Sequence, residues 1–267
     1  MSLTRYVDAY EQSARAVADL ARGRTSEEWS RDTDCPGWVV ADQVAHVSAL
    51  EHQFVGDPLP PDLPSYGPHV HGIVGEHTER GVVAYRRDDP DLAARELSAV
   101  LDRRFAALRS TEIDPAGETI GLLGNRIAWA RFLPVRCFDV WTHEQDIRLA
   151  LGLPVVFEGA SGDAAMEAML AVLPMAVARG AGAPPGSSVA FDLAGSPGAA
   201  VTVLVDESGR GKLDDGADGD ATAVVRCEVA TLSRLVCGRV EPASADVVLD
   251  GDRELGQRVL GSLTITP

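Results

Sequence analysis

Residues 133–151, LPVRCFDVWTHEQDIRLAL, limit what this chain can fold into more than any other stretch. The spacing of apolar residues predicts one helix, stopped by Gly152 and Pro154. At about 100° per residue, Asp139 and His143 lie about 40° apart on one face. Arg136 and Asp146 fall on the same side as Val140, Ile147, Ala150 and Leu151, whereas Glu144 points well away and is the weaker ligand candidate. A face that is apolar by pattern yet carries two acids, a histidine and an arginine makes a poor plain core. Buried polar and charged groups need partners, and a metal ion is one such partner.

A second inward-facing histidine lies upstream. The segment 39–54 predicts a helix on which Val39, Asp42, Ala49, Leu50 and Gln53 cluster around His46. Two nitrogens and one carboxylate oxygen, from His46, Asp139 and His143, suit zinc and leave a fourth position open for water or substrate. An acid-x-x-x-His pair with a histidine from a facing helix fits the ligand sites built in bundle cores. The same three residues also fit a structural network, with His143 bonded to an acid and His46 satisfied elsewhere. Spacing leaves both readings open.

The other segments frame this pair of helices. Helical periodicity covers 2–23, 73–87 and 92–110, the last following the Asp88-Asp89-Pro90 breaker. Cys35-Pro36-Gly37-Trp38 marks a turn, and 55–70 is a long Pro/Gly-rich loop of the kind that forms lids or pocket walls. Residues 111–123 read as loop, leading into the helix above. An Ala- and Met-rich helix, 161–179, should kink at Pro174. Gly180–Ser188 reads as a linker, after which β-branched runs at 187–193, 200–205, 221–226 and 245–250 alternate with helices at 228–237 and 252–260. The expected fold class is α+β: a helical bundle over 1–180, then a small α+β domain over 181–267, as a length of 267 residues suggests.

Charge narrows the partners. With 24 basic and 40 acidic residues the formal charge is −16, which repels nucleic acid and anionic membranes but not a small anion in a locally positive pocket. The start of the chain lacks a basic segment followed by an apolar run, and no stretch approaches about 18 uninterrupted apolar residues. A cytoplasmic protein is expected. Cys35, Cys137, Cys227 and Cys237 form no CxxC pair and read as isolated thiols.

Other candidates carry a blander reading. His69 and His71 sit in the Pro/Gly loop as surface or lid residues, and His52 and His77 as surface positions. The acidic run 214–220 lacks calcium-loop spacing and reads as a solvated turn. Arg239 ends a predicted helix. It either complements the helix dipole or reaches a substrate carboxylate across a domain interface, where bidentate geometry favours arginine.

Several segments together resemble a known family. CPGWVVADQVAH (35–46) and RCFDVWTHEQDIR (136–148) resemble two blocks of the mycothiol-dependent maleylpyruvate isomerase-like proteins, actinobacterial relatives of DinB-type metal-binding four-helix bundles. Cys237-Gly238-Arg239, GDRELG (251–256) and the closing TITP resemble that family's sterol-carrier-protein-like C-terminal domain. The resemblance implies a DinB-like four-helix bundle followed by a small α/β domain, and a divalent metal, zinc, on His46, Asp139 and His143. It implies mycothiol as cosubstrate and a small electrophilic enedione or carboxylate-bearing substrate, in a monomer or homodimer. The activity implied is isomerisation or thiol transfer through a metal-bound thiolate, with Arg239 holding the substrate carboxylate. One departure stands out: the family's isomerases carry Glu at the acid position, and this chain has the shorter Asp139. The alternative is a non-catalytic binding protein in which the metal only staples the bundle.

Overall fold

The computed structural model describes residues 3–216 and 220–265. Its first helices are α1 (Thr4–Ala21), α2 (Ser26–Trp29), α3 (Val40–Phe54), α4 (Gly72–Tyr85) and α5 (Pro90–Arg109). Local chemistry starts several of them. The Thr25 and Glu28 side chains cap α2 reciprocally, and the Asp89 carboxylate accepts from the amides of Asp91 and Leu92, with Pro90 in the first turn of α5. Asp89-Pro90, read from sequence as a breaker, is therefore also the start of α5.

The segment expected to be loop before the central helix instead holds a short antiparallel hairpin, β1 (Glu118–Ile120) with β2 (Arg126–Ala128). The hairpin runs straight into α6 (Trp129–Ala150), whose first amides bond to the carbonyls of Gly117 and Pro115. Helix α6 thus begins earlier than its periodicity indicated and carries Pro134 inside it. It ends at Gly152, whose φ of +73° is open to glycine at little cost.

Helices α1, α3, α5 and α6 pack as the expected bundle, with α4 against α3. Their shared core includes Tyr10, Val17, Val44, Leu97, Leu101, Phe105, Leu133, Val140 and Ile147. Helix α6 is its axis. From Arg136 to Ile147 every residue except Asp139 is buried, so the helix is enclosed on all sides and is not simply amphipathic. The second face is covered by the segment after α6: Trp141 Nε1 donates to the Val156 carbonyl (3.0 Å) and Gln145 Oε1 accepts from the Val156 amide (2.9 Å). Helix α3 is likewise buried from Val40 through Glu51.

The chain divides into two units between Ala165 and Met166, inside α7 (Gly159–Met175). Just after Pro174, α7 passes into a π-helical turn over Ala176–Gly180. The helical run Gly159–Gly180 is long and apolar enough to cross a membrane by composition, but half of it is packed inside the protein, as a core helix would be. Residues Ala181 and Ala183, in the segment read as a linker, are buried.

The second unit holds a five-stranded sheet in the order β5-β4-β3-β6-β7, formed by β3 (Ser188–Ala194), β4 (Ala199–Val205), β5 (Gly211–Asp215), β6 (Ala223–Glu228) and β7 (Val248–Gly251). Only β3 and β6 pair in parallel, Val189 opposite Ala223. Helices α8 (Val229–Val236) and α9 (Arg253–Leu260) complete it. The expected α+β class, helices first and sheet second, is what the chain forms. Strand β5 overlaps the run read as a solvated acidic turn at Asp214 and Asp215. Residues 217–219 of that run, and Thr266 and Pro267 of the closing TITP, lie outside the described residues.

Candidate metal centre

Helices α3 and α6 bring His46, Asp139 and His143 together, one ligand atom from each lying within 4.8 Å of the others. Asp139 Oδ1 is 3.5 Å from His143 Nε2 and 3.9 Å from His46 Nε2, and the two imidazole centroids are 4.3 Å apart. Tetrahedral zinc with bonds near 2.0–2.1 Å sets its ligands about 3.3 Å apart, so this cluster is slightly wider than a closed site. The histidines are buried, at 5% and 6% exposure, while the Asp139 side chain is 36% exposed. The cluster therefore has a closed floor and an open acid edge.

The observation that fits a cation is the state of His46. Both of its buried ring nitrogens lack a hydrogen-bond partner. Leaving buried polar atoms unsatisfied costs on the order of 1–3 kcal/mol each, and a metal removes that cost at the nitrogen that ligates. Burial, then the adjacent His143 ring, push the His46 pKa down to about 4 against the pull of Asp139. A neutral imidazole with a lone pair is the ligating form.

Asp139 is tuned in the opposite sense. Burial would raise its carboxyl pKa, but the Arg136 guanidinium, then the His143 and His46 rings, hold it well below the usual carboxylate range. Arg136 Nη1 donates to Asp139 Oδ2, leaving Oδ1 toward the histidines. Behind Arg136 stands a buried set that sequence reasoning did not assemble. Glu51 Oε1 accepts from Arg136 Nη2 (2.5 Å), Glu51 Oε2 accepts from the Tyr10 hydroxyl, and Arg104 Nε lies 3.8 Å from Oε2. Arg136, on the ligand side of the helix by its spacing, thus reaches Asp139. Glu144, expected to point well away from the cluster, does so and accepts from Arg148 Nε (2.7 Å).

His143 has its own support. His143 Nδ1 lies 2.6 Å from Gln43 Oε1, and Trp38 lies against both rings, with centroid distances of 5.1 Å to His46 and 5.9 Å to His143. Trp38 Nε1 donates to Glu79 (3.0 Å), whose carboxylate lies 3.5 Å from His69. The His69 ring fills the space beside Gly37, where a Cβ would sit 2.4 Å from it. His69 is thus held against the Cys35–Trp38 turn and is not a free loop residue; His71 is exposed. His77 and His52, expected at the surface, are half-buried and bonded, His77 to Gln53 (2.8 Å) and His52 to Asp57 (2.7 Å).

Arg239 lies in the second unit, just past the end of α8. Its Nη1 donates to the Cys237 carbonyl (2.9 Å), at the helix C-terminus. Among the thiols, burial pushes Cys137 up to about 12 and Cys227 up to about 11, so neither is primed as a nucleophile.

The family described as mycothiol maleylpyruvate isomerase N-terminal domain matches residues 10–148, a span that includes His46, Asp139 and His143. A crystal structure of the mycothiol-dependent maleylpyruvate isomerase is similar, with a TM-score of 0.55, and one of its histidine-to-alanine mutant with 0.56. Each is 16% identical, over 94% of this chain and 93% of that chain, a likeness in fold. No curated protein matches. The chain belongs to the mycothiol maleylpyruvate isomerase N-terminal domain family.

Proposed function

We propose that the protein is a divalent-metal-dependent, mycothiol-dependent enzyme acting on a small electrophile, with isomerisation of a maleylpyruvate-type cis-enedione acid as the leading reaction and thiol transfer as its close relative. The observation that carries this reading is the His46 ring, both of whose buried nitrogens lack a hydrogen-bond partner, beside Asp139 and His143. Family membership supplies the thiol and the substrate class.

His46, Asp139 and His143 would hold the metal, with zinc the ion this donor set suits. A bound zinc supplies Lewis acidity that lowers the pKa of a thiol and polarises a carbonyl. The protein's own residues do the rest. Arg136 takes up one oxygen of Asp139, so the acid offers a single oxygen to the centre. Trp38 walls the two imidazoles from water on one side. The exposed edge at Asp139 is where a thiol and a substrate would enter.

The chemistry balances without an oxidant. Thiolate addition to the cis double bond leaves a single bond that rotates. Elimination of the same thiolate gives the trans isomer, and the proton taken up at carbon on addition is returned. If the adduct is released instead, the reaction is a thiol transfer. Arg239 is proposed as the cation for the substrate carboxylate, a role that bidentate guanidinium geometry favours.

The test is an assay of purified, zinc-loaded protein with mycothiol and maleylpyruvate. Turnover is expected, with loss to background on chelation and in His46→Ala. Full activity after either treatment overturns the mechanism. Arg239→Met is expected to raise KM about tenfold or more with a smaller change in kcat, as loss of substrate binding does. The second reading, a metal-stapled binding protein, draws on the ligands' coming from two helices. A large stability loss on chelation, with no binding of mycothiol, favours it.

A further inference from the structure

We infer that Gln43 and Thr33 fix the proton of His143 on Nδ1 and so present its Nε2 lone pair to Asp139 and His46. This makes them positioning residues and gives the Cys35–Trp38 turn a purpose. The inference rests on the metal reading above.

The argument follows hydrogen-bond direction from a fixed end. The carbonyl of Trp38 can only accept. Thr33 Oγ1 lies 2.9 Å from it and donates its single proton there. The Thr33 oxygen is then an acceptor for its other contacts, the Cys35 amide (3.3 Å) and the Gln43 side chain (2.8 Å). Gln43 must therefore turn its NH2 toward Thr33 and its carbonyl oxygen toward His143. Facing an oxygen at 2.6 Å, His143 Nδ1 must carry the proton.

The opposite amide orientation makes one hydrogen bond fewer. Thr33 would have to turn its proton to Gln43, and the Trp38 carbonyl would keep only the Thr33 amide (3.0 Å). Gln43 is fully buried, so its amide must be satisfied by these two partners and not by water. The other pull on His143 is weaker: an Nε2 proton would have only Asp139 Oδ1, at 3.5 Å, against 2.6 Å on the Gln43 side. A metal-ligating histidine commonly donates its second nitrogen to such a partner, and removing the partner lowers metal affinity about 10–100-fold. Here the proton is placed without the metal, by a relay that ends on the backbone of a turn next to the site.

The experiment has a part that needs no metal. Long-range proton–nitrogen correlation spectra of the metal-free protein above pH 7 should show the His143 ring as the Nδ1–H tautomer, and Thr33→Val should release a population of Nε2–H. An Nε2–H tautomer in the metal-free parent overturns the inference. Zinc affinity, by competition with a chromophoric chelator, should fall about 10–100-fold in Gln43→Leu. It should stay within about threefold of the parent in Gln43→Glu, whose carboxylate still accepts from Nδ1 while Thr33 turns its hydroxyl from the Trp38 carbonyl to the new oxygen. Equal losses in the two variants would assign Gln43 a packing role and overturn the inference, as would parent-like affinity in Gln43→Leu. If Gln43→Leu fails to fold, the tautomers of the parent and of Thr33→Val decide. A parent that takes up no zinc overturns the metal reading, while the tautomer still tests the relay.

Discussion

In the unit that ends at Ala165, the buried polar side chains include His46, Glu51, Arg104, Arg136, His143 and Asp146, whereas among the described residues of the unit that begins at Met166 they are the hydroxyls of Ser187, Thr202 and Ser233. A hydroxyl hidden in a core needs one partner, and Ser233 finds it in the Ala230 carbonyl (2.8 Å). A buried charge loses far more hydration and is held only by a matched set of opposite charges and hydrogen bonds. The helical unit contains such a set, with Arg136 between Glu51 and Asp139. The contrast separates two ways of building a core: the sheet unit packs apolar side chains with little polar content, while the helical unit carries charged groups that stability alone does not require.

The largest test of that contrast is Glu51→Ala. It leaves Arg136 and Arg104 buried without their shared carboxylate, and the loss in unfolding free energy by urea titration should be about 3–5 kcal/mol. A loss below about 1 kcal/mol would break the comparison.

Next comes pH. The His46 imidazole protonates near 4 in the folded metal-free chain and near its ordinary 6.5 when unfolded. Between those values the unfolded chain binds more protons, so stability falls as pH drops from about 6.5 to about 4 and His46 contributes no further loss below that. At about 1.4 kcal/mol per pH unit the loss is about 3 kcal/mol. His46→Phe should flatten that part of the curve. Asp139, with its carboxyl depressed, adds a loss as pH falls through its own folded value.

Zinc should act with the opposite sign. At one hundred times its dissociation constant it should stabilise the protein by about 2.7 kcal/mol, and Asp139→Ala or His143→Ala should abolish most of that gain in thermal melts. An undiminished gain in both variants would place the ion elsewhere. The smallest effect should come from the sheet unit. Ser233→Ala removes one helical side chain-to-backbone bond and should change stability by about 1 kcal/mol or less.

Much of the frame was legible because it is local. The i, i+4 spacing placed Asp139 and His143 on one face, and the periodicity of 39–54 turned His46 inward. Both hold because a helix fixes side-chain direction from backbone geometry alone. The hairpin over Glu118–Ile120 and Arg126–Ala128 was missed, since strands this short carry almost no alternation. Strand β5 was missed because Asp214 and Asp215 read as part of a solvated turn. They are exposed, but on the edge of a sheet, where charge is common. The wheel also divided α6 too sharply: Trp141, Glu144 and Gln145 are as buried as the ligand face, because α6 is covered on both sides.

The sequence by itself determined the class of the fold, the order of helices and sheet, and three residues able to share a cation. Only the tertiary structure decided how those residues are supported. Tyr10 and Glu51 are 41 positions apart, and Gln43 and His143 are 100. No periodicity along one element says which of these will meet. Arg136 takes one oxygen of Asp139, Gln43 takes one nitrogen of His143, and His46 is left with neither nitrogen satisfied. The physical reason is that hydrogen bonds between elements depend on how helices pack, whereas the direction of each side chain from its own helix does not.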